Sequence, residues 1–293
     1  MLGRWMLVAL AGLLGLGAPA LAQEAFRSDR ITVTVEGSGP DVILIPGMTS
    51  SPSAWRGTAA ALPGYSYHFV QLKGFAGTPA EGNEEGPVSA PVAAEIARYI
   101  DAQNLDRPAV VGHSMGGTMA LMIAARHPRA VSRVMVVDQL PFMGVVFGPP
   151  GTTAESVRPT AEAMRAEMLN ASAEAHNQRL EAMSGAMVRD EAQRALVIAD
   201  AKASDRETVA NAFRELIMTD LRPELAAIRV PVSVLYVTPA GAPATDAQVD
   251  ALYRASYAPI ADLRLVRIPD SAHFIMSDNP ARFQAELRAL LSR

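Results

Sequence analysis

The sequence predicts an α/β fold, in which a mostly parallel central sheet is flanked by helices and interrupted once by a block of further helices. Three observations predict it. From Arg30 onward, short apolar runs alternate with amphipathic stretches. The pentapeptide Gly112-His113-Ser114-Met115-Gly116 lies between an apolar run and a helical stripe, and no strand signal occurs from about residue 148 to residue 227.

The elements follow in order. Ile31 to Val35 alternates apolar residues with Thr, as a strand covered on one face does, whereas Val42 to Ile45 is continuously apolar, as in a strand covered on both. Tyr67 to Leu72, Ala109 to Val111 and Val134 to Val137 read as further strands. Between them, Ala93, Ile96, Ala97 and Ile100 mark one helix. Met115, Met119, Met122 and Ile123 mark a second at the i, i+4, i+7, i+8 spacing, which His127-Pro128 ends.

A structureless connection spanning 148–227 is improbable in a compact domain, so helices are expected there. Val209, Phe213, Leu216 and Ile217 form one stripe, with Ser204 and Glu207 as a capping box ahead of it. Val232 to Val237 and Leu263 to Ile268 complete the sheet. A last helix from Pro280 carries Phe283, Leu287, Leu290 and Leu291 on one side. The expected division is a core over 23–147 and 228–293, with a helical cap over 148–227.

Composition narrows the function classes. With 293 residues, 49% apolar and 19% charged, the chain can bury a sizeable core and does not have the profile of disorder. The net charge of −4 comes from 26 basic and 30 acidic side chains without a block of one sign, which argues against a nucleic-acid partner. Absence of Cys excludes a thiol nucleophile and thiolate-ligated metals. At the N-terminus, Arg4, the apolar run from Trp5 to Gly17, Pro19 and Ala20-Leu21-Ala22 have the form of a signal peptide over residues 1–22, cut before Gln23. The run is short of the ~20 residues that span a bilayer. The expectation is therefore an exported protein, periplasmic or secreted, with no integral span once mature. A retained N-terminal anchor is the alternative.

The pentapeptide carries the chemistry. A strand that turns sharply into a helix forces Ser114 into a strained backbone and presents its hydroxyl, and the flanking glycines remove side chains that would collide with strand and helix. The helix starting at Met115 directs free N–H groups at the same point, which favours a developing oxyanion. A serine hydroxyl needs a base, and histidine is the usual one. Of five histidines, His113 lies in the turn, His68 in a strand, His127 at a helix end and His176 in the helical insertion. His273 follows the last strand in a loop.

Gly112-His113-Ser114-Met115-Gly116-Gly117, Ile45-Pro46-Gly47, Gly74-Phe75-Ala76-Gly77 and Ser271-Ala272-His273-Phe274 together resemble the α/β-hydrolase superfamily, over nearly all of the chain beyond residue 22. The resemblance implies an α/β-hydrolase fold with a helical cap, Ser114 as nucleophile and His273 as general base, in the chain order serine, acid, histidine. It directs the search for the acid to the residues after Val237, but Thr238-Pro239-Ala240-Gly241 holds no carboxylate. Asp246 comes later, where a helix first turn accounts for it. Asp138, ending the strand after the elbow helix, stands where some members carry the acid and is preferred. The oxyanion hole would be the N–H groups of Met48 and Met115.

Phe142, Met143, Phe147, Met164, Met168, Met183 and Met187 would give the cap an apolar, adaptable wall. The expected activity is hydrolysis of a small to medium apolar carboxylic ester through an acyl-enzyme, with no cofactor and no metal. Thioester, lactone, amide or acyl-transfer chemistry uses the same residues, and a non-catalytic periplasmic binding module on the same fold is the reading from a different class. Serine rather than aspartate at the elbow argues against dehalogenase or epoxide hydrolase chemistry.

Overall fold

In the computed structural model, residues 26–241 and 243–293 are described. The expected signal peptide and its cleavage point lie outside them. Seven strands form one sheet: β1 (Ile31–Gly37), β2 (Asp41–Ile45), β3 (Ser66–Leu72), β4 (Ala109–His113), β5 (Arg133–Val137), β6 (Val232–Tyr236) and β7 (Leu263–Arg267), in the order β1-β3-β2-β4-β5-β6-β7. β1 runs antiparallel to β3, and every other pair is parallel.

The order explains where a site can form. From β2 the chain steps outward to β3, then returns across β2 to β4, so the connections leaving β2 and β4 diverge. A crevice opens at such a reversal, outside the carboxyl ends of the strands, and ligands of open α/β sheets bind there.

The helices are α1 (Ser53–Ala61), α2 (Ser89–Ala102), α3 (Met115–Arg126), α4 (Ala154–Asn170), α5 (Ala173–Met187), α6 (Glu191–Ala203), α7 (Arg206–Met218), α8 (Asp246–Tyr257), the short α9 (Ile275–Asp278) and α10 (Pro280–Leu291). Alternate strand residues serve opposite faces. Ile43, Ile45, Val110, Val134 and Val136 pack with Ile96 of α2, Met119 of α3 and Tyr257 of α8. Val42, Leu44, Val111, Met135 and Val137 pack with Trp55 of α1 and Phe283 and Leu287 of α10. At about 1.5–3 kcal/mol for each fully buried large apolar side chain, these two cores hold the sheet between the helix layers.

Helices α4 to α7 are inserted between β5 and β6, with α4 packed on α7 and α5 on α6. A small core of Phe142, Val157, Ala161 and Ile217 ties the first and last of them to the end of β5. The expected cap is displaced by one residue. Asp205, not Ser204, caps α7, its carboxylate accepting the N–H of Thr208 at 2.8 Å. Ser204 ends α6, and its hydroxyl is engaged by the Ala76 N–H at 2.9 Å and the Asp200 carbonyl at 2.8 Å. Among the described residues, no helix is long and apolar enough to cross a membrane.

Candidate active site

Ser114 occupies the turn between β4 and α3 at φ 53° and ψ −124°, a region that a residue with a side chain rarely enters. The turn is tight because glycine permits it. A methyl on Gly112 would lie 2.1 Å from the Gly116 carbonyl oxygen, and one on Gly116 would lie 2.3 Å from that of Ile45. Ser114 remains half-buried rather than enclosed.

The loop after β2 lies against this turn, since a methyl on Gly47 would meet Ser114 Cβ at 3.1 Å. Met48 follows at once and lines the same cavity as Ser114. Its N–H donates to no acceptor among the described residues. Met115 is the first residue of α3, a position whose N–H has no acceptor within the helix.

His273 sits in the loop between β7 and α9. Its Nδ1 donates to Asp138 Oδ2 at 2.6 Å, which leaves Nε2 as the ring acceptor. The loop is braced by Asp278, whose carboxylate accepts the N–H groups of Ala272 at 2.8 Å and Arg189 at 2.9 Å. The two side chains, Ser114 and His273, line one cavity without a hydrogen bond between them.

Asp138 directly follows β5 at φ 51°, and its own N–H bonds the Leu235 carbonyl at 2.7 Å. Beyond the imidazole, its Oδ1 accepts the Val237 N–H at 3.1 Å and the Tyr253 hydroxyl at 3.4 Å. Burial first, then the charge of Asp138, pushes the Tyr253 hydroxyl well above the usual tyrosine range, so it stays a donor. Of the two carboxylates weighed from the sequence, only Asp138 reaches His273. Asp246 opens α8, accepts the Thr238 hydroxyl at 2.7 Å and pairs with Arg267 at 2.6 Å.

His113 is buried, donates from Nε2 to the His273 carbonyl at 3.1 Å and packs its ring 4.5 Å from that of His273. Burial, and secondarily the neighbouring His273, hold it well below the usual histidine range, so it is neutral. His68 is fixed between Tyr99 and Asp41, and His127 is exposed at the end of α3. His176, half-buried in α5, lines the cavity.

The cavity has a volume of about 160 Å³. Met164 and Met168 of α4 line it, as do Met183 and Met187 of α5. Phe142, Met143 and Phe147 do not. Phe142 belongs to the small core of the insertion, Met143 packs on the main core, and Phe147 meets Phe213 edge-on at 6.1 Å. They precede α4 and pack in the joint between the insertion and the sheet, Phe142 fully buried and Met143 and Phe147 partly so.

Sequence reasoning missed part of the wall. His176, Leu180 and Ser184 share one stripe of α5 with Met183 and Met187, at helical spacing. From His176 to Met187 that stripe runs three turns, ~16 Å. At its outer end Arg179 pairs with Glu167. Among the described residues, no group of three or more His, Asp or Glu side chains is disposed to hold a metal ion.

A sheet reversal that presents a serine at a strained turn, beside an aspartate-held histidine, is the architecture of a hydrolase. The chain belongs to the alpha/beta hydrolase family, whose sequence model matches residues 42–286. It is 33% identical to a pimeloyl-[acyl-carrier protein] methyl ester esterase of Aeromonas hydrophila over 115 residues, 38% of this chain and 43% of that one. The match thus spans less than half of that relative. Another such esterase, from Edwardsiella ictaluri, is 26% identical over 254 residues, covering 84% of this chain and 91% of its own. The fold is similar to that of an esterase from Exiguobacterium antarcticum, with a TM-score of 0.75, 19% identity, and coverage of 90% and 96% of the two chains.

Proposed function

We propose that this hydrolase cleaves a small to medium apolar carboxylic ester through an acyl-enzyme formed on Ser114. The observation that carries the proposal is the convergence of Ser114 and an Asp138-bound His273 on one cavity with a methionine-rich wall. Relatives described as methyl ester esterases support the ester.

In this reading the Ser114 hydroxyl attacks the ester carbonyl while Nε2 of His273 takes its proton, and Asp138 keeps the imidazole in the required tautomer. The N–H groups of Met48 and Met115 receive the negative charge that develops on the carbonyl oxygen. His273 protonates the departing alkoxide and then activates the water that releases the acid. The inserted helices act as a cap whose apolar lining takes the acyl group, and residues 1–22 direct export. N-terminal sequencing of the exported protein should then begin at Gln23.

A fluorophosphonate probe tests the nucleophile. It should label the wild-type protein and leave Ser114→Ala unlabelled, and the variant should lose all turnover of p-nitrophenyl esters. A wild-type protein that takes no label would favour a binding module instead.

A further inference from the structure

We propose that Asp200, in the last turn of α6, is a positioning residue for the oxyanion-binding loop after β2. The proposal rests on the assignment of Met48 as an oxyanion donor. It starts from a conflict within that loop. Thr49, next to Met48, stands at φ 62°, a conformation that its β-branched side chain disfavours. Strain of this kind persists only where the surroundings hold it.

The bonds inside the loop do not supply that hold. The Thr49 hydroxyl donates to the Met48 carbonyl at 2.7 Å and the Ser50 N–H to the Gly47 carbonyl at 3.2 Å, so both move with the segment. The outside restraint comes from α6. Asp200 Oδ2 accepts the Ser51 N–H at 3.0 Å, and the Ser204 hydroxyl lies 3.5 Å from the Thr49 carbonyl oxygen. Asp200 and Ser204 are four residues apart and share a face. Ser204 places its shorter bonds elsewhere, on the Asp200 carbonyl and the Ala76 N–H. The charged acceptor is therefore the stronger tie.

The helix gives no reason for an acid here. Asp200 lies near the C-terminus of α6, where the helix dipole disfavours negative charge, and no cation pairs with it among the described residues. Among the described residues, the one hydrogen bond of its carboxylate is to the loop that carries Met48, three residues before the bonded N–H. The insertion thereby fixes an element of the core at the point where charge develops in the reaction.

A donor that matters only when the oxyanion forms acts on kcat rather than on KM. On the shortest p-nitrophenyl ester that the wild type turns over, Asp200→Ala should lower kcat about tenfold or more, with KM within about twofold. Asp200→Asn keeps an acceptor for the Ser51 N–H and should recover most of the loss. Both variants should fold, because Asp200 is half-buried and both substitutions relieve the helix end of a charge; melting curves recorded alongside would verify it. A residue that merely secured the cap would instead raise KM, most for the longer acyl chains. That pattern, an unchanged kcat in Asp200→Ala, or an Asn variant as impaired as Ala would overturn the proposal. Full activity in Ser114→Ala, in contrast, would overturn the reading of the site itself.

Discussion

The Asp138 carboxylate accepts from an imidazole, a backbone N–H and a phenol at once, which leaves it little freedom to turn. In Asp138→Asn the amide oxygen can retain the Val237 bond, so the NH2 faces His273 and favours the tautomer with Nε2 protonated, which cannot accept the serine proton. kcat should fall by on the order of 10³–10⁴. Asp246→Asn removes only a solvent-facing pair with Arg267 and should stay within about twofold by the same steady-state assay. His113 carries a different consequence. Its folded-state proton affinity is depressed from the ordinary value of 6.5, so below that pH the unfolded chain binds the extra proton and the folded one does not. The stability is full above about pH 6.5 and is lost as pH falls toward the depressed value. Melting temperature should drop between pH 7.5 and 5.5 in the wild type and drop less in His113→Gln.

The α7 helix shows how closely element boundaries depend on side-chain competition. Ser204 and Asp205 are both capable caps, and the sequence alone favours Ser204 because Glu207 completes a box. In the fold the Ser204 hydroxyl is taken by Ala76 and Asp200, which leaves the Thr208 N–H to Asp205. Asp205→Ala should cost about 1 kcal/mol, read as a lower urea midpoint at unchanged slope. The strands were more legible than the caps. β2, β4 and β6 are covered on both faces, so their runs are almost wholly apolar, and the turns that follow β2 and β4 carry Pro46-Gly47 and the Gly112–Gly116 pattern. The places of Ser114 and His273 were legible for a related reason, Ser114 directly beyond β4 and His273 in the loop that follows β7. The cavity wall was not. α5 and α6 bury few residues, so their apolar stripes are sparse, and aromatic residues such as Phe142 and Phe147 attract a pocket assignment although packing consumes them.

The molecule divides into a sheet fixed by two large cores and an insertion with a small one of its own. Local opening follows buried contact, so amides of α5 and α6 should exchange with deuterium well before those of β2, β4 and β5 in a native-state exchange experiment. The insertion is nonetheless fastened on both sides of the cavity, at Asp278 beside the His273 loop and at Asp200 beside the Met48 loop. The acid position has a consequence of another kind. In the proposed mechanism Asp138 supplies the acid from the end of β5, so the segment leaving β6 at Pro239-Ala240-Gly241, which faces solvent, has no part in it. It is a vacant port on the rim, where a grafted affinity tag or fluorophore should leave the rate of ester turnover unchanged.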